Sequence, residues 1–151
     1  MTADNRSSLL SVRPLDIDDA EAVSSLSTQL GYPCDAATMH ERIHRLANSP
    51  DRIAFVAVLE NIVVGWADAS IERHLQSPDV VELGGLVVAE GHRGLGIGRR
   101  LCEAVEEWAV RQEIPRVRVR SQIKRQDAHR FYLRDGYEHV KTSEVFEKRL
   151  D

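Results

Sequence analysis

Apolar residues cluster in three segments near the middle of the chain and predict β-strands there. Ile53–Leu59 and Ile62–Ile71 are rich in β-branched residues, and only the dipeptide Glu60-Asn61 separates them. This arrangement is typical of a tight antiparallel hairpin. Val80–Val88 is the third apolar segment, and we expect a buried strand that follows a loop at Gln76–Asp79.

Other segments carry apolar residues at the three- and four-residue spacing of an amphipathic helix. In the first of them, Val23, Leu26 and Leu30 share a face, which Gly31 ends. Four helices are predicted in this way, one from about Asp16 to Gly31, one capped by Asp35, one from about Gly96 to before Pro115, and one at Asp127–Arg134.

Four further short segments complete the predicted strands, namely Ser11–Arg13, Arg116–Ser121, Tyr137–Lys141 and Glu144–Leu150. The last two read as a final hairpin around Thr142-Ser143. The predicted order is therefore β-α-α-β-β-β-α-β-α-β-β, an α/β (α+β) layered domain with a mixed sheet. We expect residues 1–10 to be a flexible N-terminus and residues 11–151 to form a single domain.

Composition restricts the class of protein. The chain has 151 residues, 42% of them hydrophobic and 29% charged, which is ordinary for one globular domain. A net charge of −4 argues against a nucleic-acid binder. No secretory signal is recognisable, and no apolar run approaches the roughly 20 residues of a membrane span. We therefore expect a cytoplasmic protein with two free thiols, Cys34 and Cys102.

The most informative segment joins the strand Val80–Val88 to the helix that follows it. Gly94, Gly96 and Gly98 leave the backbone open to close approach, and the N-terminus of a helix attracts anions. Arg93 and Arg99 add positive charge, as does Arg100. The pattern predicts a site for a ligand that carries phosphate.

Three ligand classes share a glycine turn between strand and helix: nucleoside triphosphates, dinucleotides and coenzyme A. A P-loop would end in Gly-Lys-Ser/Thr, which is missing here. A Rossmann turn needs the G-x-G-x-x-G spacing, and Gly94-x-Gly-x-Gly98 lacks it. The strand after the helix also ends in Arg120-Ser121, without an acidic residue for a ribose hydroxyl.

Two other patterns suggest chemistry that the rest of the chain does not support. His40-Glu-Arg-Ile-His44 matches the zinc-protease pattern H-E-x-x-H, but no further ligand follows at the required spacing, so we expect no metal. Arg116, Arg118 and Arg120 alternate along a strand without interleaved aromatic residues. We expect these arginines to form salt bridges with the acidic helices or to line a homodimer interface.

Two segments together resemble the GCN5-related N-acetyltransferases (GNAT superfamily). Arg93-Gly-Leu-Gly-Ile-Gly98 is similar to the family motif Arg/Gln-x-x-Gly-x-Gly/Ala. Ala128-His-Arg-Phe-Tyr-Leu-Arg-Asp-Gly-Tyr137 is similar to its Ala-x-x-Phe-Tyr-x-x-x-Gly-Phe segment. The resemblance covers about residues 11–151, with one departure, Arg125, where many relatives carry an asparagine that contacts the coenzyme.

The resemblance implies a GNAT fold in which acetyl-CoA lies between two splayed parallel strands, the fourth and fifth of the sheet. The pantetheine arm would pair with the first of these strands like an added strand. The pyrophosphate would rest on backbone N–H groups of the glycine turn. The residues implied are Leu86, Val87 and Val88 for the pantetheine, and Arg93, Gly94, Leu95, Gly96, Ile97, Gly98 and Arg99 for the pyrophosphate.

The resemblance also implies two catalytic residues. Tyr132 occupies the position of a tyrosine that protonates the departing CoA thiolate in many relatives. Glu82 lies on the CoA-binding strand, where several relatives carry a general base, although a chain of waters could serve instead. The same residues also have simpler readings, Tyr132 as a core aromatic beside Phe131 and Glu82 as a solvent-facing carboxylate.

We therefore expect an N-acetyltransferase that transfers acetyl from acetyl-CoA to a primary amine of a small molecule, by direct attack in a ternary complex. Neither cysteine lies in the motifs, so no covalent acetyl-cysteine is indicated. A protein acetyltransferase acting on a lysine or an N-terminus stays open, as does a non-catalytic acyl-CoA sensor. The residues identify no acceptor.

Overall fold

The computed structural model of the chain describes residues 9–121 and 124–151. The described elements are five strands, four α-helices and one 3-10 turn. In chain order they are β1 (Leu10–Pro14), a 3-10 turn (Ile17–Asp19), α1 (Ala20–Gln29), α2 (Ala36–Ala47), β2 (Arg52–Leu59), β3 (Ile62–His74), β4 (Ser77–Val88), α3 (Ile97–Arg111), β5 (Val117–Val119) and α4 (Gln126–Arg134). The predicted flexible N-terminus lies mostly outside the described residues, and β1 already begins at Leu10.

The five strands form one sheet in the order of the chain, β1-β2-β3-β4-β5. Neighbours are antiparallel except β4 and β5, which are parallel. The predicted hairpin turn is confirmed, because Glu60 and Asn61 have φ angles of 51° and 65°, as a two-residue turn of this kind requires. The predicted mixed α/β architecture with parallel fourth and fifth strands is confirmed as well.

Helices cover both faces of this sheet. On one face α3 packs against β2, β3 and β4 and buries Leu101, Cys102 and Val105 completely. There Gly65 allows close packing, since a Cβ at this position would lie 3.2 Å from Leu101 Cδ1. On the other face the Trp66 indole N–H donates to the Ser27 hydroxyl of α1 over 3.2 Å.

The predicted cap of α2 and the predicted glycine end of α1 are both formed, and a second glycine ends α4. The Asp35 carboxylate accepts a hydrogen bond from the Thr38 amide at 2.7 Å and so caps α2. Gly31 follows α1 with a φ of 89°, and Gly136 follows α4 with a φ of 91°. The Tyr137 amide then donates back to the Tyr132 carbonyl at 2.9 Å, which completes the glycine-ended stop of α4.

The prediction of a loop at Gln76–Asp79 is wrong. β3 continues to His74 and β4 begins at Ser77, so a two-residue turn joins them. Pro78 suggested a loop because proline lacks the N–H that a strand ladder uses. The register between the strands shifts after Glu72, and such an irregularity lets a proline lie within a strand.

The two strands predicted at Tyr137–Lys141 and Glu144–Leu150 are also wrong, because residues 137–151 have no regular secondary structure. The apolar side chains of Val145 and Phe146 are 88% and 89% exposed. A two-stranded hairpin is marginally stable by itself. The connecting Thr142-Ser143 also lacks the glycine or asparagine that favours a tight hairpin turn.

Residue contacts divide the chain into two compact units, Met1–Arg120 and Ser121–Asp151. The first contains the sheet with α1, α2 and α3, and the second contains α4 and the C-terminal segment. A single domain over residues 11–151 stays a prediction. Within the described ranges, none of the helices has the length and apolar character needed to cross a membrane.

Candidate functional site

The parallel strands β4 and β5 pair only over a short stretch. Val81–Leu83 lies opposite Val117–Val119, and this pairing ends where β4 still has five residues to run, Gly84–Val88. β3 continues to pair with β4 up to Val88 on the other side. This second half of β4 therefore presents its outer edge beyond the pairing with β5, and such an edge can accept an extended ligand chain.

Backbone alternation decides which residues face this outer edge. The Ala89 amide donates to the Val64 carbonyl of β3 at 2.8 Å. In an antiparallel pair every second residue exchanges hydrogen bonds with its neighbour, so Val87, opposite Trp66, also bonds to β3. The N–H and C=O groups of Leu86 and Val88 consequently point away from β3, toward the outer edge.

A glycine-lined loop follows β4 and leads into α3. Gly91, Gly94 and Gly96 have φ angles of 81°, 79° and 80°, a conformation that side chains rarely permit. A Cβ at any of the three would meet nothing within 4 Å, so the backbone is open on that side. The glycine segment of the predicted motif therefore forms an accessible turn that leads into α3.

The first turn of α3 is arranged to attract an anion. Gly96 is its N-cap and offers no side chain to cap the helix. The Arg100 amide donates to the Gly96 carbonyl at 3.1 Å, so the amides of residues 97–99 precede this first helical bond. Together with the helix dipole these amides create positive potential. Ile97 is only 2% exposed and fixes the turn against the core.

Exposed cationic side chains surround the same turn. Arg99 forms an ion pair with Glu103 one turn further along α3, with an Nε–Oε1 distance of 3.2 Å. Within residues 9–121 and 124–151, neither Arg93 nor Arg100 has an ion-pair partner. The Nδ1 atom of His92 is buried and has no hydrogen-bond partner in that same part of the chain. Cations, open glycines and helix amides together fit a pyrophosphate-bearing ligand.

Glu82 lies on β4 just before the outer edge begins. Its side chain is 21% exposed, and the Arg120 guanidinium donates to it with an Nε–Oε1 distance of 2.5 Å. Glu82 lies opposite Ser70 of β3, on the sheet face toward which Trp66 also points. The predicted base therefore lies beside the outer edge of β4, and one of its carboxylate oxygens forms an ion pair with Arg120.

Sequence reasoning missed a second carboxylate on this face, Asp68 of β3. Its Oδ1 atom accepts a hydrogen bond from the Gly85 amide at 2.6 Å. Burial raises the pKa of the Asp68 carboxyl, against the opposing effects of the Gly85 amide and the positive charge of Arg52. The available signal was a lone acidic residue inside the apolar segment Ile62–Ile71.

The predicted acid Tyr132 lies on α4 in the second unit. Its ring meets Phe131 and Tyr137 edge to face, with centroid distances of 5.2 and 5.7 Å. The residue is half-buried within this aromatic group. The structure thus supports a packed aromatic side chain at this position, and the catalytic role stays a prediction.

The histidine pair of the H-E-x-x-H pattern lies exposed on α2. His40 and His44 both face outward, whereas Ile43 between them is 4% exposed and packs inward. Asn48 donates to the His44 carbonyl at 3.0 Å. Across the ranges 9–121 and 124–151 no group of three potential metal ligands comes together.

Known proteins resemble this chain in sequence over part of its length. A model of the acetyltransferase (GNAT) family matches residues 20–137. An aminoalkylphosphonate N-acetyltransferase of Salmonella typhimurium is 37% identical over 83 residues, which cover 54% of this chain and 54% of that protein. The chain thus matches about half the length of this curated relative.

Solved structures resemble the chain over nearly all of its length. The aminoglycoside N-acetyltransferase AAC(6')-Iy in complex with CoA has a TM-score of 0.83 at 20% identity, with 93% of this chain and 95% of that chain covered. The 6'-N-acetyltransferase AAC(6')-Ih of Acinetobacter baumannii has a TM-score of 0.82 at 19% identity, covering 94% and 99%. At such identities the likeness shows a shared fold.

The fold of these structures agrees with the sheet order and with the parallel pair β4 and β5. The family match is independent of that likeness, since it comes from the sequence, and it covers most of the chain, residues 20–137. The chain belongs to the acetyltransferase (GNAT) family.

Proposed function

We propose that the chain transfers the acetyl group of acetyl-CoA to the primary amine of a small molecule, by direct attack of the amine in a ternary complex. The observation that carries the proposal is the continuity of two features. The outer edge of β4 at Leu86 and Val88 leads directly into the open glycine turn at the start of α3. An extended arm that ends in a pyrophosphate matches this sequence of surfaces, and acetyl-CoA has that form.

The donor would be held mainly by backbone groups. The pantetheine arm would bond to the outward backbone groups of Leu86 and Val88 and so extend the sheet like an added strand. Val87 between them would keep β4 bonded to β3. The pyrophosphate would accept bonds from amides between Gly94 and Arg99, with Arg93 nearby. An outward N–H of β4 would also stabilise the oxyanion of the thioester during attack.

Two side chains would handle the protons. The amine nitrogen bonds to the thioester carbonyl carbon, and the carbon–sulfur bond then breaks. Glu82, or a water that it orders, would take the proton that the amine loses. Tyr132 would give a proton to the CoA thiolate, as the family motif around it implies. Arg120 would hold Glu82 in place through the ion pair between them.

The relatives favour a small acceptor over a protein. One is by name an aminoalkylphosphonate N-acetyltransferase, and others are by name aminoglycoside N-acetyltransferases. Both substrate classes are small molecules with an aliphatic amine. We therefore infer that the acceptor of this chain is a small aliphatic amine, with aminoalkylphosphonates and aminoglycosides as the first compounds to test.

The test is release of the CoA thiol from acetyl-CoA across a panel of amines. The panel would contain aminoalkylphosphonates, aminoglycosides, polyamines, amino acids and lysine peptides, with isothermal titration of acetyl-CoA as the parallel measurement of binding. We expect saturable turnover with at least one class of small amine. Turnover confined to lysine peptides would contradict the small acceptor, and binding without any turnover would favour the acyl-CoA sensor.

A further inference from the structure

The point at which β4 parts from β5 coincides with an irregularity on the opposite side of β4. Asp68 of β3 lies opposite Gly85, whereas the next residue, Ala69, lies opposite Leu83. Gly84 is therefore an extra residue in β4, a β-bulge. The pairing of β4 with β5 ends at Leu83, immediately before this bulge.

The Asp68 side chain fills the bulge. Its Oδ1 atom accepts the Gly85 amide at 2.6 Å, a short bond of the kind that a charged acceptor forms. A Cβ at Gly84 would lie 2.9 Å from the same Oδ1 atom. The bulge thus has room for a carboxylate because residue 84 lacks a side chain.

The neighbouring Trp66 supports the bulge from the face of the sheet that α1 covers. A Cβ at Gly85 would lie 2.8 Å from Trp66 Cζ3, so the indole packs directly on the backbone of Gly85. The Trp66 N–H in turn donates to Ser27 of α1, whose side chain is among the most buried of the chain. The bulge is therefore fixed by one polar and one aromatic side chain from β3.

The consequence for the outer edge follows from the alternation of backbone groups. The extra residue at Gly84 shifts by one position which residues of β4 face outward. With the bulge present, the N–H and C=O groups of Leu86 and Val88 point away from β3. Without it, Val87 would point outward instead, and the donor would meet a different row of backbone groups.

We propose that Asp68 is a positioning residue, whose carboxylate holds the β4 bulge and so directs the backbone of Leu86 and Val88 toward the acyl donor. The inference rests on the proposed function, since it assigns that backbone to acetyl-CoA. Asp68 acts through the Gly85 amide and takes no proton from the acceptor. Ser70, two residues along the same face of β3, donates its hydroxyl to Glu72 at 2.8 Å and provides a matched control.

Three variants separate a positioning role from a role as base. Asp68→Ala removes the acceptor of the part-buried Gly85 amide. We expect the KM for acetyl-CoA to rise about ten- to hundredfold, which corresponds to the loss of one hydrogen bond to a charged group. Asp68→Asn keeps an oxygen in place, and we expect it to restore most of the activity. Ser70→Ala should behave like the unmodified chain. A base would give the opposite result, with Asp68→Asn as inactive as Asp68→Ala.

An NMR measurement tests the bulge without reference to activity. The amide proton of Gly85 should resonate far downfield in the unmodified chain, keep most of that shift in Asp68→Asn and lose it in Asp68→Ala, with the folded state checked by thermal unfolding. If Asp68→Ala lost the shift but bound acetyl-CoA with unchanged affinity, the positioning role would be wrong while the proposed function stood. If the unmodified chain failed to bind acetyl-CoA, the proposed function would fail, and the shift would still report on the bulge.

Discussion

At the scale of single residues, Asp19 and Asp68 are two carboxylates of the first unit whose surroundings shift the pKa in opposite directions. Asp19 is 6% exposed and accepts two hydrogen bonds from the Arg13 guanidinium, at 2.8 and 2.9 Å. The bond with Arg13 lowers the pKa of the Asp19 carboxyl, whereas burial raises the pKa of the Asp68 carboxyl. The Arg13 guanidinium therefore offsets the cost of burying the Asp19 charge, whereas the Gly85 amide only partly offsets the cost of burying a charge on Asp68.

Asp19→Asn should destabilise the fold in a way that depends on pH. The substitution removes the charge that pairs with Arg13, and we expect the free energy of unfolding to fall by about 1–3 kcal/mol near pH 7. Because the pKa is lowered in the folded state, this contribution is present above the pKa of the unfolded aspartate, about 3.9, and disappears as the pH falls through the folded value.

Urea unfolding of both proteins between pH 3 and pH 7 would measure that difference. The two curves of stability against pH should converge at the acid end. A difference that stayed constant over the whole range would contradict the role of the Asp19 charge. Asp18→Asn is the matched control on the same 3-10 turn, since Asp18 is exposed.

Tyr132→Phe tests the proposed acid. Loss of the hydroxyl should lower kcat about 10²- to 10⁴-fold, the usual contribution of general acid–base catalysis, and should leave the KM for acetyl-CoA nearly unchanged. The measurement is steady-state kinetics over a range of pH. Tyr137→Phe is the control in the same aromatic group, since it also removes one phenol and keeps the ring. Equal pH profiles for Tyr132→Phe and the unmodified chain would contradict the proposed acid.

At the scale of elements, signals between adjacent residues were readable from local sequence, whereas long-range pairing was predicted only where the family resemblance implied it, as for the parallel strands β4 and β5. The Glu60-Asn61 turn and the Asp35 cap depend on adjacent residues, and both form as predicted. The strand around Pro78 depends on a register shift against β3, which no local pattern encodes. The role of Asp68 could not be predicted from local sequence either, because its partner Gly85 lies 17 residues away along the chain.

Gly96→Ala tests whether the start of α3 binds the donor. A side chain at a φ of 80° strains the backbone by roughly 1–2 kcal/mol, and the turn would lose its shape to relieve this strain. We expect the KM for acetyl-CoA to rise. Gly31→Ala introduces the same strain at a φ of 89°, also with nothing within 4 Å, but outside the turn.

Both alanine variants should therefore lose similar stability, while only Gly96→Ala should bind the donor more weakly. Thermal unfolding and isothermal titration with acetyl-CoA would make the comparison. If the two variants bound acetyl-CoA with equal affinity, the turn at the start of α3 would not be part of the donor site.

At the scale of the whole molecule, the C-terminal segment differs most from expectation. The family match ends at residue 137, and residues 138–151 follow it without helix or strand. Val145, Phe146 and Leu150 are each at least 88% exposed. Their spacing suggested strands, but strand formation requires a partner strand, which local sequence does not specify.

Limited digestion with trypsin tests the state of this segment in solution. Exposed segments without secondary structure are cleaved first, so we expect the earliest cuts after Lys141, Lys148 or Arg149, identified by mass spectrometry. Arg52 and Arg118, which lie within strands, should be cut much later. Resistance of the C-terminal sites would show that the segment is paired in solution and would support the hairpin predicted from sequence.

The packing around the β4 bulge also has a consequence for how this protein can change over evolutionary time. Gly84 leaves no room for a side chain beside Asp68, and Gly85 leaves none beside Trp66. A mutation at either glycine would become acceptable only together with a smaller residue at its partner. Across descendants of this chain, these four positions should therefore vary in pairs, and a lineage that lost Asp68 should be free to lose Gly84.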